Sequence, residues 1–86
     1  MNIKYINIPS KILFDYEIPA LAKIIYGQII ILCHKKGYCE VSNIFFSKHN
    51  NCSICTIGRM LKILKENEYI KIDYLGKRKI YIPNQI

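Results

Sequence analysis

Glycine is scarce in this 86-residue chain. The four glycines stand singly at positions 27, 37, 58 and 76, so there is no glycine-rich loop to cradle a phosphate. Catalytic pairings are missing as well. Neither His34 nor His49 stands where it can serve as a base beside a nucleophile, and Asp15 and Glu17 fall together in a polar break. A chain this short also has little volume for a substrate pocket. These absences argue against an enzyme. No apolar run is long enough to cross a bilayer, which takes about 20 residues. The most apolar stretch, Ile24 to Cys33, is interrupted by Gly27 and Gln28 and reads as a core helix. The opening MNIKYINIPSK lacks the uninterrupted apolar core of an export signal. A cytoplasmic protein with reduced thiols is therefore expected, and a membrane-surface role is not, because the apolar faces are needed for the core.

Acidic residues are few, six against thirteen Lys and Arg, for a net charge of +7. Residues 1–34 carry three basic and two acidic groups, and residues 35–86 carry ten and four. Codon bias of the kind a low-GC genome shows, towards Lys, Ile, Asn and Tyr, is the bland reading of part of that excess. Its concentration in one half still favours a polyanionic partner, nucleic acid first. With 51% apolar residues the chain suits one small packed domain spanning 1–86.

Periodicity then gives the order of elements. Ile3–Ile8 alternates imperfectly and reads as a short strand or arm, stopped by Pro9. Ser10 to Phe14 allows one helical turn. Pro19 suits a helix start, and the helix runs to about His34 with Leu21, Ile24, Ile25, Gln28, Ile29 and Leu32 covering much of its circumference. Lys35 and Lys36 complement its dipole, and Gly37 can end it. Cys39–Val41 is short and β-prone. Ser42 to Lys65, SNIFFSKHNNCSICTIGRMLKILK, reads as two helices around an Asn50-Asn51 turn, with Ser42 and Ser53 as caps. Ile57, Leu61 and Leu64 recur at i, i+4 and i+7 and form one apolar stripe, and the helix ends near Asn67. From Tyr69 the period changes to two, so Tyr69–Tyr74 and Arg78–Ile82 form a hairpin around Leu75-Gly76-Lys77. Arm, helix, short strand, helix, turn, helix and hairpin make a mainly helical α+β fold, a winged helix-turn-helix with a C-terminal β-hairpin wing.

That architecture points to double-stranded DNA. A polar and cationic helix face backed by a first helix fits a major groove. The candidate DNA-binding residues are Ser53, Cys55, Thr56, Arg59 and Lys62 on the second helix and Lys77, Arg78 and Lys79 at the hairpin tip. Arg59 is the best candidate for a base or central phosphate contact. Lys62 and Lys65 suit general phosphate contacts, and the basic tip suits the backbone or adjacent minor groove. Cys52-x-x-Cys55 has a spacing common in zinc sites, but no second close pair completes it. No metal or cofactor is expected, with Cys33 and Cys52 acting as small buried hydrophobes.

Ala22-Lys23-Ile24-Ile25-Tyr26-Gly27, Ser53-x-x-Thr56-Ile57-x-Arg59-x-Leu61-x-x-Leu64 and Tyr69-Ile70 resemble winged helix-turn-helix domains of phage and plasmid proteins, some of them replication initiators. Glu68-Tyr69-Ile70 through Gly76-Lys77-Arg78-Lys79-Ile80-Tyr81 is similar to the wing of TubR-type centromere-binding proteins. The likeness covers about three quarters of the chain. It implies a recognition helix over 53–67, a homodimer on repeated DNA sites in a bacterial host, and a role in plasmid or phage DNA segregation through a tubulin-like GTPase. A replication initiator's DNA-binding domain, a small transcriptional repressor and a protein–protein adaptor are the alternatives. Two residues depart from the family habit. Glu68 stands where Gly commonly ends the recognition helix, and Gly58 lies inside it at a cost of about 1 kcal/mol relative to Ala, which close approach to DNA or a partner helix would explain. Pairing of copies has two expected surfaces. One is the arm with the outer side of the core helix, including Tyr5, Tyr16 and Tyr26. The other is the recognition-helix start at Ile54, Cys55 and Gly58.

Overall fold

A computed structural model describes residues 7–83. Residues 3–6 of the expected arm, with Tyr5, lie outside that range, and Asn7 and Ile8 have no regular structure. Four helices precede a hairpin: α1 (Ser10–Leu13), α2 (Ala20–Cys33), α3 (Asn43–Asn50), α4 (Ile54–Glu66), β1 (Lys71–Asp73) and β2 (Lys79–Tyr81). This is a small, mainly helical α+β fold. Among the described residues no helix is long and apolar enough to cross a membrane.

α2 is the core helix. Pro19 sits at its N-cap with an extended ψ of 150°, where a missing N–H costs nothing. Ala22, Ile25, Tyr26, Ile29 and Cys33 are buried along it, and Gly37, with φ of 81°, closes its end as its N–H donates to the Cys33 carbonyl at 2.8 Å. Ile24, expected in the core, is 39% exposed, because the buried arc centres on 22, 25, 26 and 29. Cys39 then pairs with Ile80 through two backbone bonds of 2.8 and 2.9 Å. The β-prone segment thus adds one bridge to the hairpin and no full strand.

α3 and α4 are joined by a tight turn in which Asn51 takes a left-handed φ of 51°, a conformation Asn tolerates. Ser53 caps α4, its hydroxyl accepting from the Thr56 N–H at 3.1 Å. Ser42 stands at the α3 N-cap, but its hydroxyl makes no cap bond; that expectation is corrected. α4 buries Ile57, Leu61 and Leu64 in a core shared with Ile12, Ile25, Ile29, Phe46, Ile70 and Ile80. An amide pair of the buried Gln28 and the half-buried Asn50 joins α2 to α3. Gln28 Nε2 donates to Asn50 Oδ1 at 3.0 Å, and Asn50 Nδ2 donates back to Gln28 Oε1 at 2.9 Å and to the Phe46 carbonyl at 2.8 Å.

α4 ends at Glu66 with Asn67 as cap. Glu68 takes φ of 65°, while the Tyr69 N–H reaches back to the Leu64 carbonyl at 2.9 Å and the Glu68 N–H to the Lys65 carbonyl at 3.1 Å. These are the two bonds of a Schellman ending, built with Glu where Gly is the unstrained residue. The hairpin follows in antiparallel register, Lys71 opposite Tyr81, Ile72 opposite Ile80 and Asp73 opposite Lys79, with Gly76 at φ of 71° in the turn.

Two stability changes follow. Glu68→Gly relieves a left-handed non-glycine residue and should stabilise the fold by roughly 0.5–1 kcal/mol after the added chain entropy is offset. Asn50→Ala strands the buried Gln28 amide and should cost about 1–3 kcal/mol. Urea unfolding midpoints measure both.

Candidate nucleic-acid interface

Burial of Ile57, Leu61 and Leu64 turns the opposite face of α4 outward. Ser53, Cys55, Arg59 and Lys62 are exposed there, and Thr56 and Gly58 are half-buried. Ser53 Oγ and Thr56 Oγ1 lie 2.9 Å apart, so both hydroxyls belong to the cap of α4. Among the described residues Arg59, Lys62 and the neighbouring Lys65 have no carboxylate partner.

The hairpin stands beside this face. Its tip is open: Leu75 is 84% exposed and Lys77 is exposed. The Asp73 carboxylate accepts the Leu75 N–H at 2.9 Å and stiffens the turn. The three basic residues expected to act as one tip are separated by strand alternation. Arg78 shares the inward face of Ile80 and is half-buried, its guanidinium bonded to Asn43 Oδ1 at 2.6 Å and to the Val41 carbonyl at 2.8 Å. Lys79 lies on the other face, its ammonium 5.0 Å from the Tyr38 ring centroid, beside Tyr81. Among the described residues Lys77 is left as the free cation of the tip.

Between α4 and the hairpin runs an open groove of about 350 Å3. Gly58, Lys62 and Lys65 line one wall, Tyr74 and Arg78 the other, and Asn43 one end. Lys65 Nζ lies 5.6 Å from the Tyr74 ring centroid. A Cβ at Gly58 would meet nothing within 4 Å, so packing within the chain does not require glycine there, and the space over it is open to a partner.

The far end of α4 is anchored by Tyr69. Its hydroxyl donates to Asp15 Oδ2 at 2.8 Å, and the Glu17 N–H donates to Asp15 Oδ1 at 3.0 Å. These bonds, Tyr69's first, hold the Asp15 carboxyl below its ordinary value, and burial and then Asp15 push the Tyr69 phenol up to about 12. Tyr26 is 8% exposed and packs edge-on against Tyr69 at 5.6 Å. It therefore cannot add aromatic bulk to an outer surface, as expected of it; Tyr16 is exposed. At the other expected contact surface, Ile54 is 50% exposed and Cys55 is exposed.

Cys33 and Cys39 are buried and Cys52 packs half-buried against the core. Burial pushes the Cys33 thiol up to about 11, and its Sγ lies 3.5 Å from the Ile80 carbonyl. Among the described residues no group of three or more His, Cys, Asp or Glu side chains is placed to hold a metal. Sequence reasoning missed the acceptors of Arg78, although the alternation that puts Ile80 inward also puts Arg78 inward.

Compared with known proteins, the chain matches no family model, no curated protein and no solved structure.

Asp15 ionises more readily in the folded chain than in the unfolded one. Its stabilisation is fully present above the ordinary value of 3.8 and is lost as pH falls through the lower folded value. Tyr69→Phe should bring the Asp15 midpoint up toward 3.8 and reduce that acid-side loss, the Glu17 N–H bond remaining; carboxyl NMR titration of both proteins reads it directly.

Proposed function

We propose that the chain is a winged helix-turn-helix protein that binds double-stranded DNA. α4 is the recognition helix and the hairpin is its wing. The observation that carries this reading is the open groove between α4 and the hairpin, with Lys62 and Lys65 lining it beside Gly58, Arg59 exposed on α4 and Lys77 exposed at the hairpin tip. α4 enters the major groove, Arg59 reaches a base edge or central phosphate, Lys62 takes a phosphate, and Lys77 meets the backbone beyond. Thr56 contacts the backbone or a thymine methyl from the first turn, where Ser53 and Cys55 are exposed.

The finer reading rests on the resemblance to TubR-type proteins. The chain pairs as a homodimer through the exposed α4 start, binds repeated sites, and links them to a tubulin-like GTPase during plasmid or phage DNA segregation. Pairing also answers a physical need, since one recognition helix reads too few base pairs to single out a site.

Selection from random duplexes, followed by affinity against salt, tests the reading. Lys77→Ala should weaken all duplexes alike and lower the salt slope by about one phosphate, or ~0.9. Arg59→Ala should cost about 1–3 kcal/mol on the selected site and less on random DNA. Gly58→Ala should raise stability by about 1 kcal/mol, whereas Gly58→Leu should fold and lose DNA affinity by filling the groove. No enriched sequence and no salt dependence would remove the reading.

A further inference from the structure

Arg78 was expected among the phosphate contacts, yet both of its terminal nitrogens already donate within the chain. Nη1 donates to Asn43 Oδ1 at 2.6 Å and Nη2 to the Val41 carbonyl at 2.8 Å. Both acceptors come from the three residues through which the chain enters α3. Among the described residues no carboxylate pairs with this guanidinium, so it bonds the loop as a fork between two neutral acceptors. The hairpin it belongs to has two strands of three residues, and so short a ribbon has little stability of its own. The Cys39–Ile80 bridge ties one edge of it. Arg78 supplies a second tie, two residues along the strand and directed toward the helix pair.

We propose that Arg78 is a positioning residue: it locks the wing to the entrance of α3 and thereby fixes the width of the groove between wing and recognition helix. The inference rests on the winged-helix reading for its consequence in DNA binding, while the lock itself is a property of the free protein. Lys77 touches the polyanion; Arg78 holds Lys77 where the polyanion passes. The planar fork explains why arginine stands here. Two acceptors on different residues are met here by two donor nitrogens at a fixed planar spacing, which the single nitrogen of a lysine ammonium on its flexible stem does not reproduce. Locking the wing before binding removes an ordering cost that a loose hairpin would meet on the DNA.

Salt-dependent affinity for one duplex, measured for Arg78→Lys, Arg78→Ala, Asn43→Ala and the Arg78→Ala/Asn43→Ala double variant, separates positioning from contact. Each single change should weaken binding roughly tenfold through lost preorganisation, and the salt slope of Arg78→Lys and Asn43→Ala should stay at the wild-type value. Arg78→Lys should be as weak as Arg78→Ala, and the double variant no weaker than Arg78→Ala alone, because both changes break one lock. Hydrogen exchange of the Ile80 amide, which donates to the Cys39 carbonyl, provides a readout without DNA and should quicken in all four. Full recovery of affinity by Arg78→Lys, with Asn43→Ala unchanged from wild type, would make Arg78 a phosphate contact and overturn the proposal. Should wild-type protein bind no duplex, the DNA-binding reading fails, and unchanged Ile80 exchange in Arg78→Ala would overturn the lock on its own.

Discussion

The burial of one stripe on α4 constrains everything around it. Ile57, Leu61 and Leu64 leave almost no surface to solvent, and their spacing fixes the rotation of the helix about its axis. Once that rotation is set, Arg59 and Lys62 have only the outer face to occupy. The cationic character of the candidate interface is thus a consequence of the core. The hydrophobic effect supplies the energy and the helical period supplies the direction.

Polar contacts then fix what apolar burial leaves loose. Apolar burial is non-directional, so it does not by itself fix how the elements sit along one another. Three side-chain links between distant segments, five hydrogen bonds together, remove that freedom. The Gln28–Asn50 amide pair sets α3 against α2, Tyr69–Asp15 ties the end of α4 to the α1–α2 corner, and Arg78 ties the hairpin to the start of α3. Each joins residues more than twenty positions apart in the chain, and each lies at a border of the helix pair.

Local rules made most of the elements legible in the sequence. Pro19, Gly37, Asn50-Asn51, Ser53 and Gly76 mark starts, stops and turns because their backbone or hydroxyl chemistry acts within a few residues, and the structure has each at such a boundary. The hairpin followed from its period of two. Illegible were features decided by packing across the chain. Ser42 has the right chemistry for a cap and does not make the bond. Tyr26 looks like surface aromatic bulk and is covered by Tyr69. Arg78 looked like part of a basic tip because three cations adjoin in sequence, although strand alternation sends neighbours to opposite faces. Glu68 in a left-handed cap shows the converse: the tertiary ending of α4 prevails over a residue's own backbone preference.

The central claim is that the outer face of α4 and the hairpin tip form one polyanion-binding surface. Titrating 15N-labelled protein with a random-sequence duplex at low salt tests it most directly, because non-specific contacts need no knowledge of the site. Shift changes should gather at Thr56, Arg59, Lys62 and Leu75–Lys77, with the amides of Phe14–Glu17 and the C-terminal end of α2 unmoved. Changes centred on those latter segments, with α4 and the tip silent, would contradict it.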